Sequence, residues 1–405
     1  MKSLLSLNSY HYARGGADIV YFAHAELFEA NGWTNTFSAM HHADNVPCVD
    51  SPWFAECIDY HKNGRPLEKL KHAARIIYSL EAKKKISGLL DSRHIDIAHV
   101  HNIYHHQSPS VLRELKSRDI PVVMTAHDLK IACPNKMMMT KGQICERCRG
   151  GRVWNAALHC CVQDSKIVSS LVSFESAIHK ALNLYDRNVD RIVTPSRFYR
   201  DKLIEWGWNG DKIVHIPNFV RISPEVRQSP GGGYILYFGR LAKEKGLTTL
   251  VRAAAQARVP VRIAGTGPEE GILRLLVDEL DAPVTFLGFL NGEALWSAVD
   301  AARAIVLPSE WYENGPMSVI EAFGRGKPLI GSRIGGIPEL ITEGETGWSF
   351  VPADVSDLAE ALTTAMAATK SELGVMAEAT RDRVVSDFSA DMYYRRMSTV
   401  YGGII

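Results

Sequence analysis

The chain alternates short apolar runs with longer amphipathic stretches, and this alternation predicts its fold class. Short runs read as buried strands, and the segments between them carry apolar residues at helical spacing, which is typical of a parallel α/β sheet. Helices are predicted at 246–257 and 273–280, among others. The predicted strands lie at 3–8, 97–100, 122–125, 191–194 and 214–216, then at 234–238, 261–264, 284–287, 304–307 and 328–331.

The length and one Pro-, Ser- and Gly-rich stretch predict two domains. A chain of 405 residues is too long for a single hydrophobic core. The stretch 218–233 contains SPEVRQSPGGG and is typical of a linker. We therefore expect a first domain at 1–217, a second at 234–385, and a C-terminal helical segment at 386–405.

Composition excludes several classes of protein. The 46% hydrophobic and 22% charged content is ordinary for a soluble globular protein, and a net charge of +1 argues against a nucleic-acid partner. The chain has neither a run of about 18 apolar residues nor the long apolar core of a signal peptide. Seven cysteines are an odd number, unlike a secreted disulfide framework. We expect a cytoplasmic protein.

The region 62–93 is basic, with nine Lys or Arg against three acids. Leu67, Leu70, Ala74 and Ile77 recur there at helical spacing. A basic amphipathic helix can lie on an anionic membrane surface. The same pattern also fits a helix packed on its domain with a solvated basic face, which we favour. A weak contact with the inner face of the cytoplasmic membrane is left open.

The segment 308–336 carries the most informative chemistry. It places seven residues between Glu313, which lies in a loop, and Glu321, which lies just inside a predicted helix. Pro316 suits the start of that helix, where free backbone N–H groups attract anions. The segment thus offers amides for phosphate or sugar oxygens and two carboxylates for hydroxyl groups. A nucleotide sugar has both kinds of group.

The two carboxylates and the turn Gly-Gly-Ile-Pro-Glu at 335–339 resemble the retaining glycosyltransferases of the GT-B fold, family 4. The resemblance covers nearly the whole chain and is strongest from 239 to 347. It implies an α/β protein of two Rossmann-like, doubly wound domains facing a cleft, the first on the acceptor side and the second binding the nucleotide sugar. It also implies that the C-terminal helix crosses back to the first domain.

The resemblance also implies roles in the second domain. Arg240 and Lys245, in GRLAKEKG at 239–246, would neutralise the leaving diphosphate. Glu321 would accept hydrogen bonds from the ribose hydroxyls, and Glu313 would contact a hydroxyl of the donor sugar. The loops at Gly265 and Gly288 would hold the base. The residues expected to face the sugar and phosphate are Asn314, Gly315, Pro316, Met317 and Ser318.

In the first domain, the resemblance implies that amides of Gly15 and Gly16 face the diphosphate. This loop lacks the GxGxxG pattern, so a dinucleotide is disfavoured. His127 would face the transferred sugar; Asp128 is a weaker candidate. A further polar cluster, His101, Asn102, His105 and His106, follows the strand at 97–100 and is interpreted as lining the acceptor side.

The insert at 133–161 is rich in cysteine. Cys145 and Cys148 have the spacing of a metal-ligand pair. A structural zinc held by Cys133, Cys145, Cys148 and either Cys160 or Cys161 is one interpretation; free thiols or a disulfide are the others. Because basic residues would neutralise the diphosphate, we expect no catalytic metal.

These features predict an enzyme that moves a hexose from a UDP- or GDP-sugar to a hydroxyl of a glycan or lipid-linked acceptor, with retention, in cell-surface polysaccharide synthesis. One alternative is a GT-B epimerase or hydrolase of nucleotide sugars, which would activate water. Another is a non-catalytic scaffold that binds nucleotide sugars.

Overall fold

The computed structural model describes residues 2–57, 66–221 and 232–405. Their contacts divide the chain into two units. The first unit comprises Met1–Lys141, Cys145–Ile216 and Tyr394–Ile405, and the second comprises Gly142–Ile144 and Pro217–Tyr393. Most of the predicted linker, 222–231, and the start of the basic region, 62–65, lie outside the described residues.

The first unit is built on a six-stranded parallel sheet in the order β2-β1-β3-β4-β7-β8. Its central strands β1, β3 and β4 are buried at every position. The strands up to residue 221 are β1 (Ser3–Leu7), β2 (Thr34–Ser38), β3 (Ile97–Val100), β4 (Val122–Thr125), the short β5 (Met139–Thr140) and β6 (Gln143–Ile144), β7 (Arg191–Thr194) and β8 (Ile213–His215).

Helices connect these strands. The first begins directly after the loop that follows β1, with Gly15 at its N-cap. The helices are α1 (Gly16–Ala30), α2 (Pro66–Ile77), α3 (Leu80–Ser92), α4 (Ser110–Lys116), α5 (Asn155–Leu158), α6 (Lys166–Ala181) and α7 (Arg197–Glu205).

The second unit repeats this plan with another six-stranded parallel sheet, in the order β11-β10-β9-β12-β13-β14. Its strands are β9 (Ile235–Phe238), β10 (Val261–Ala264), β11 (Val284–Gly288), β12 (Ala304–Leu307), β13 (Leu329–Ser332) and β14 (Gly347–Phe350). Its helices are α8 (Leu247–Ala257), α9 (Glu270–Leu280), α10 (Gly292–Ala301), α11 (Met317–Gly324), α12 (Val355–Ala367) and α13 (Lys370–Arg383). A π-helix, Val384–Phe388, leads into α14 (Ala390–Gly402), within which the chain passes to the first unit.

The predicted α/β class is confirmed, and every predicted strand is present with ends shifted by at most one residue. Two longer strands were not predicted, β2 (TNTFS) and β14 (GWSF), and both lie at sheet edges. An edge strand is buried less completely than a central one. β2 contains Thr, Asn and Ser, and β14 contains Gly and Ser, so neither has the continuous apolar run that marks the central strands of a parallel sheet.

The basic region predicted as one helix is two in the structure, α2 and α3. Ser79 separates them, and its hydroxyl accepts a hydrogen bond from the Ala82 amide at 3.1 Å, which caps α3. Across the described ranges, no helix combines the length and the apolar character needed to cross a membrane.

Candidate functional site

Glu313 is the centre of a buried polar cluster in the second unit. It lies in the loop between β12 and α11 and is only 5% exposed. Its Oε1 accepts hydrogen bonds from Lys245 Nζ at 2.6 Å, Ser309 Oγ at 2.6 Å and Trp311 Nε1 at 2.8 Å. The Lys245 ammonium also lies 5.1 Å from the centre of the Trp311 ring. Three donors on one oxygen fix the direction of this carboxylate.

These contacts keep Glu313 ionised. Burial by itself would raise the pKa of the carboxyl group, but the charge of Lys245 and the hydrogen bonds from Lys245, Ser309 and Trp311 outweigh it, so the pKa lies below its usual value. The sequence predicted Lys245 and Glu313 as separate ligand contacts. The structure shows them as an ion pair, and adds Ser309 and Trp311 as supports.

The Gly-Gly-x-Pro-Glu turn packs directly on the backbone of Glu313. The Gly336 amide donates to the Glu313 carbonyl oxygen at 2.8 Å. Gly335 has a φ of +60°, and a Cβ there would lie 2.5 Å from the Glu313 nitrogen. Only glycine meets both conditions without strain. The two motifs that looked separate in sequence therefore form one structure, in which the turn holds the glutamate loop.

The helix that follows begins as predicted. Pro316 is the N-cap of α11 and has no side-chain hydrogen bond to the first turn, which starts with Met317 and Ser318. The Asn218 side chain donates to the Gly315 carbonyl at 2.9 Å and so fixes the loop before the helix. Asn314 is 9% exposed. The free N–H groups of the first turn form a site that favours anions.

Glu321 lies on α11 and differs from Glu313 in its surroundings. Within the described part of the chain, its carboxylate has no hydrogen-bond or ion-pair partner. Burial without a partner raises its pKa to about 7. Its oxygens can therefore accept hydrogen bonds from a ligand without breaking contacts in the protein.

The predicted cations lie after β9, and they differ from each other. Arg240 is exposed, and among the described residues only its carbonyl is engaged, accepting a hydrogen bond from Tyr237 Oη at 2.8 Å. Lys245 is fixed by Glu313. Gly246, which follows Lys245, has a φ of +66°, and a Cβ there would lie 1.9 Å from the Pro308 carbonyl oxygen. This close approach joins the Lys245 loop to the start of the glutamate loop.

The glycine loops after β10 and β11 are linked to the loop after β9. The Gly265 amide donates to the Gly288 carbonyl at 2.7 Å, and the Gly239 amide donates to the Ala264 carbonyl at 3.0 Å. All three loops follow the carboxyl ends of neighbouring parallel strands, where open α/β sheets bind ligands. The structure thus brings the predicted residues of the second unit to the end of the sheet that is formed by the carboxyl ends of its strands.

In the first unit, Gly15 and Gly16 lie at the N-terminus of α1. Gly15 is exposed, and a Cβ there would meet no described atom within 4 Å. Its φ of −170° is accessible to any residue. The fold therefore imposes no need for glycine at this position. The close approach of a ligand to this backbone would be a physical reason for glycine at position 15.

His127 follows β4, as predicted, and is part of a cluster of buried histidines. Its Nε2 lies 2.8 Å from Nδ1 of His101, and the two ring planes are within 17° of each other. Burial lowers the pKa of His127 to about 4, so the ring is neutral at physiological pH. The sequence placed His101 on the acceptor side; the structure places it in contact with His127.

The other predicted polar residues of the first unit surround a cavity of about 450 Å³. Asn102, His105, His106 and Asp128 all line it, together with Tyr10 and Arg14. Burial raises the pKa of Asp128, although nearby Lys136 and the Lys130 amide oppose the shift. Burial also lowers the pKa of His105 and of His106 to about 4.

The cysteines of the insert make separate contacts in the structure, and a zinc site formed by them stays a prediction. Cys133 donates a hydrogen bond to Cys148, which raises the pKa of Cys133 and lowers that of Cys148. Cys145 instead accepts from Arg147 Nη1 at 3.7 Å, and the Cys160 thiol lies 4.0 Å from the Ala157 carbonyl. Among the residues that the structure describes, no three His, Cys, Asp or Glu side chains form a group able to hold a metal ion.

Solved structures share this architecture over the whole chain. Sucrose-phosphate synthase from Thermosynechococcus elongatus superposes with a TM-score of 0.72 at 20% identity, covering 100% of this chain and 99% of that one. Anabaena HepE, solved in complex with UDP and glucose, superposes with a TM-score of 0.70 at 16% identity, covering 100% of both chains. The two Rossmann-like sheets with their helices are those of the GT-B fold.

Curated relatives match over part of their length. Glycogen synthase of Mycobacterium tuberculosis is 30% identical over 242 residues, which is 55% of this chain and 56% of that protein. WcaL of Escherichia coli, named for colanic acid biosynthesis, is 28% identical over 230 residues, which is 53% of this chain and 57% of that protein. The chain thus spans little more than half the length of these relatives.

Family models match both parts of the chain. The model for glycosyl transferases group 1 matches residues 221–383, which include the Glu313 cluster. The model for Glycosyltransferase Family 4 matches residues 14–223, which include Gly15, Gly16 and His127 and make up more than half of the sequence. The chain belongs to glycosyltransferase family 4.

Proposed function

We propose that this chain transfers a hexose from a UDP- or GDP-sugar to a hydroxyl of a glycan or lipid-linked acceptor, with retention, in the synthesis of a cell-surface polysaccharide. The observation that carries the proposal is the pair of unlike carboxylates that follow β12: Glu313, ionised and held by three donors, and Glu321, which has no partner among the described residues. One fixed and one available acceptor suit a sugar hydroxyl and a ribose diol.

The electrostatic task in such a transfer is to stabilise the leaving diphosphate. Arg240 offers a planar fork of donors, and Lys245 has donors beyond the one used by Glu313. The amides at the start of α11 add partial positive charge. Preorganised donors of this kind usually make the largest contribution to catalysis. We propose that His127 and the Gly15-Gly16 amides act on the same donor, His127 at the transferred sugar.

The mechanism we propose avoids a covalent sugar intermediate. The Glu313 carboxylate is neutralised by Lys245 and held by two further donors, which weakens it as a nucleophile. Retention then follows from attack on the face that the diphosphate leaves, with a leaving-group oxygen taking the acceptor proton. The relatives support parts of this proposal: HepE was solved with UDP and glucose, and WcaL is named for colanic acid biosynthesis.

The donor and the reaction class can be tested together. A thermal-shift screen of UDP-glucose, UDP-galactose and GDP-mannose should identify a donor, because a ligand that binds the native state raises the melting temperature. With that donor, we expect nucleoside diphosphate release only when acceptor glycan is present, and an unchanged anomeric configuration by NMR. Release without acceptor would favour a hydrolase, and binding without release would favour a scaffold.

Replacing Lys245 should affect turnover more than folding. In Lys245→Ala the diphosphate loses a fixed cation, and we expect kcat to fall about 100-fold or more. The free energy of unfolding should fall by only about 1–3 kcal/mol, because Ser309 and Trp311 still hold Glu313. Steady-state kinetics and urea unfolding measure the two effects.

Lys243→Ala is the matched control, since Lys243 is an exposed lysine two residues away. It should leave both quantities near the wild-type values. Equal loss of kcat in the two variants would contradict the assigned role of Lys245.

Replacing Glu321 should change stability and nucleotide affinity in opposite directions. Its pKa is raised from 4.5 to about 7 by burial, so the native state favours the protonated form. The associated stabilisation is complete below pH 4.5 and is lost as the pH rises through 7. Glu321→Gln has no carboxyl group at this position to ionise. The melting temperature of the variant minus that of the wild type should therefore increase from pH 5 to pH 8.

The same variant should bind nucleoside diphosphate about tenfold more weakly, because the amide offers one fewer oxygen acceptor to the ribose. Calorimetric titration measures this affinity. Glu345→Gln, at an exposed glutamate, is the control and should show neither effect. Wild-type affinity in the Glu321→Gln protein would show that Glu321 does not bind the nucleotide.

Gly15→Ala tests whether glycine at this position is needed for the sugar donor or for folding. A Cβ at Gly15 enters open space, so the free energy of unfolding should change by less than about 0.5 kcal/mol. Turnover should fall if the diphosphate approaches this backbone closely. Gly271→Ala, also at a glycine whose Cβ would meet no described atom within 4 Å, is the control. Full activity of Gly15→Ala would show that this loop does not contact the donor.

A further inference from the structure

A set of buried side chains, joined by hydrogen bonds and by ring stacking, lies beside His127 in the first unit. Tyr401 Oη, from α14, is 2.5 Å from Nδ1 of His99 and 2.9 Å from Nε2 of His24. Nε2 of His99 lies 2.7 Å from Thr125 Oγ1, at the end of the strand that leads to His127. The His99 and His101 rings stack with centroids 4.7 Å apart. His24, His99 and His101 are each 0% exposed.

The His101 ring is hydrogen-bonded to the His127 ring, and His101 stays neutral. Burial, reinforced by the neighbouring His99 and His127 rings, holds the pKa of His101 well below its usual value. A neutral imidazole carries one proton, on one of its two nitrogens. The question is which nitrogen of His101 carries it.

The surroundings of His101 answer that question. Its Nδ1 faces Nε2 of His127 at 2.8 Å, whereas its own Nε2 is buried with no hydrogen-bond partner among the described atoms. A proton on Nε2 would be a buried donor without an acceptor, which folded proteins avoid more strictly than an unused acceptor. Histidine has a small intrinsic preference for protonation at Nε2, and the unpaired buried donor outweighs it. The proton therefore belongs on Nδ1.

We propose that His101 is a positioning residue that donates from Nδ1 to Nε2 of His127 and so fixes His127 as the tautomer protonated at Nδ1. The other nitrogen of His127 then presents a proton and can only donate. This deepens the proposed function and rests on it: His127 would act on the transferred sugar as a hydrogen-bond donor to an oxygen, not as a base. His101 sets that role, and it stacks on the His99 ring, which Thr125 and Tyr401 hold in place.

The tautomer can be measured without substrate. In protein labelled with ¹⁵N-histidine, with His127→Gln used for assignment, we expect the ¹⁵N shift of a protonated nitrogen at His127 Nδ1 and of an unprotonated one at Nε2. The opposite pattern in the wild-type protein would overturn the inference. This result does not depend on turnover, so a protein that transfers no sugar would sink the proposed function and leave the tautomer assignment standing.

Two variants of similar size then test the consequence. The amide nitrogen of Asn in His101→Asn can take the place of Nδ1, and should preserve both the tautomer and most of kcat. His101→Leu removes the donor, and should release the tautomer and lower kcat about 10- to 100-fold with little change in the KM for the nucleotide sugar. A Leu variant that keeps the wild-type tautomer and kcat, or an Asn variant as impaired as the Leu variant, would contradict the proposal.

Discussion

The site of the second unit depends on one buried carboxylate. An ionised Glu313 that is 5% exposed is tolerated only because Lys245, Ser309 and Trp311 all donate to it. Three loops must therefore hold their positions at once: the one carrying Lys245, the one carrying Ser309 and Trp311, and the Gly335-Gly336 turn that packs on the Glu313 backbone. Displacing any one of these loops would remove a contact to the Glu313 side chain or to its backbone. These contacts connect the three loops to one another.

Much of the fold could be predicted from the sequence, because the central strands of a parallel sheet are apolar on both faces. β3 and β12 are buried at every position, and their bounds follow from the hydrophobic run alone. β2 and β14 could not be found in this way, because TNTFS and GWSF contain no continuous apolar run, whereas the other two edge strands, β8 and β11, are richer in apolar residues. The break between α2 and α3 depends on the N-cap at Ser79. The basic residues run through both helices and gave no sign of this break.

Some of the site residues could be predicted from the sequence, and others could not. Glu313, Glu321 and the glycine turn lie close together in sequence and could be recognised as motifs. Ser309 and Trp311 lie in the same segment, but a serine and a tryptophan there look like ordinary loop residues, and their hydrogen bonds to Glu313 exist only once the loop is folded. The contact of His101 with His127 likewise requires β3 and β4 to be neighbours. Among the cysteines, the spacing of Cys145 and Cys148 could be seen in the sequence, whereas the hydrogen bond between Cys133 and Cys148 requires the folded insert.

The two predicted cations illustrate how one motif can divide a task. Lys245 is paired with Glu313, so its position is set before any ligand binds, and its charge is partly neutralised. Arg240 is exposed, and within the described residues its guanidinium has no partner, so it is free to follow a ligand. A preorganised cation costs no reorganisation when negative charge develops on a leaving group. A mobile guanidinium can close on the diphosphate and then release it. For the transfer we propose, Lys245 would serve the chemical step and Arg240 the capture and release of the nucleotide.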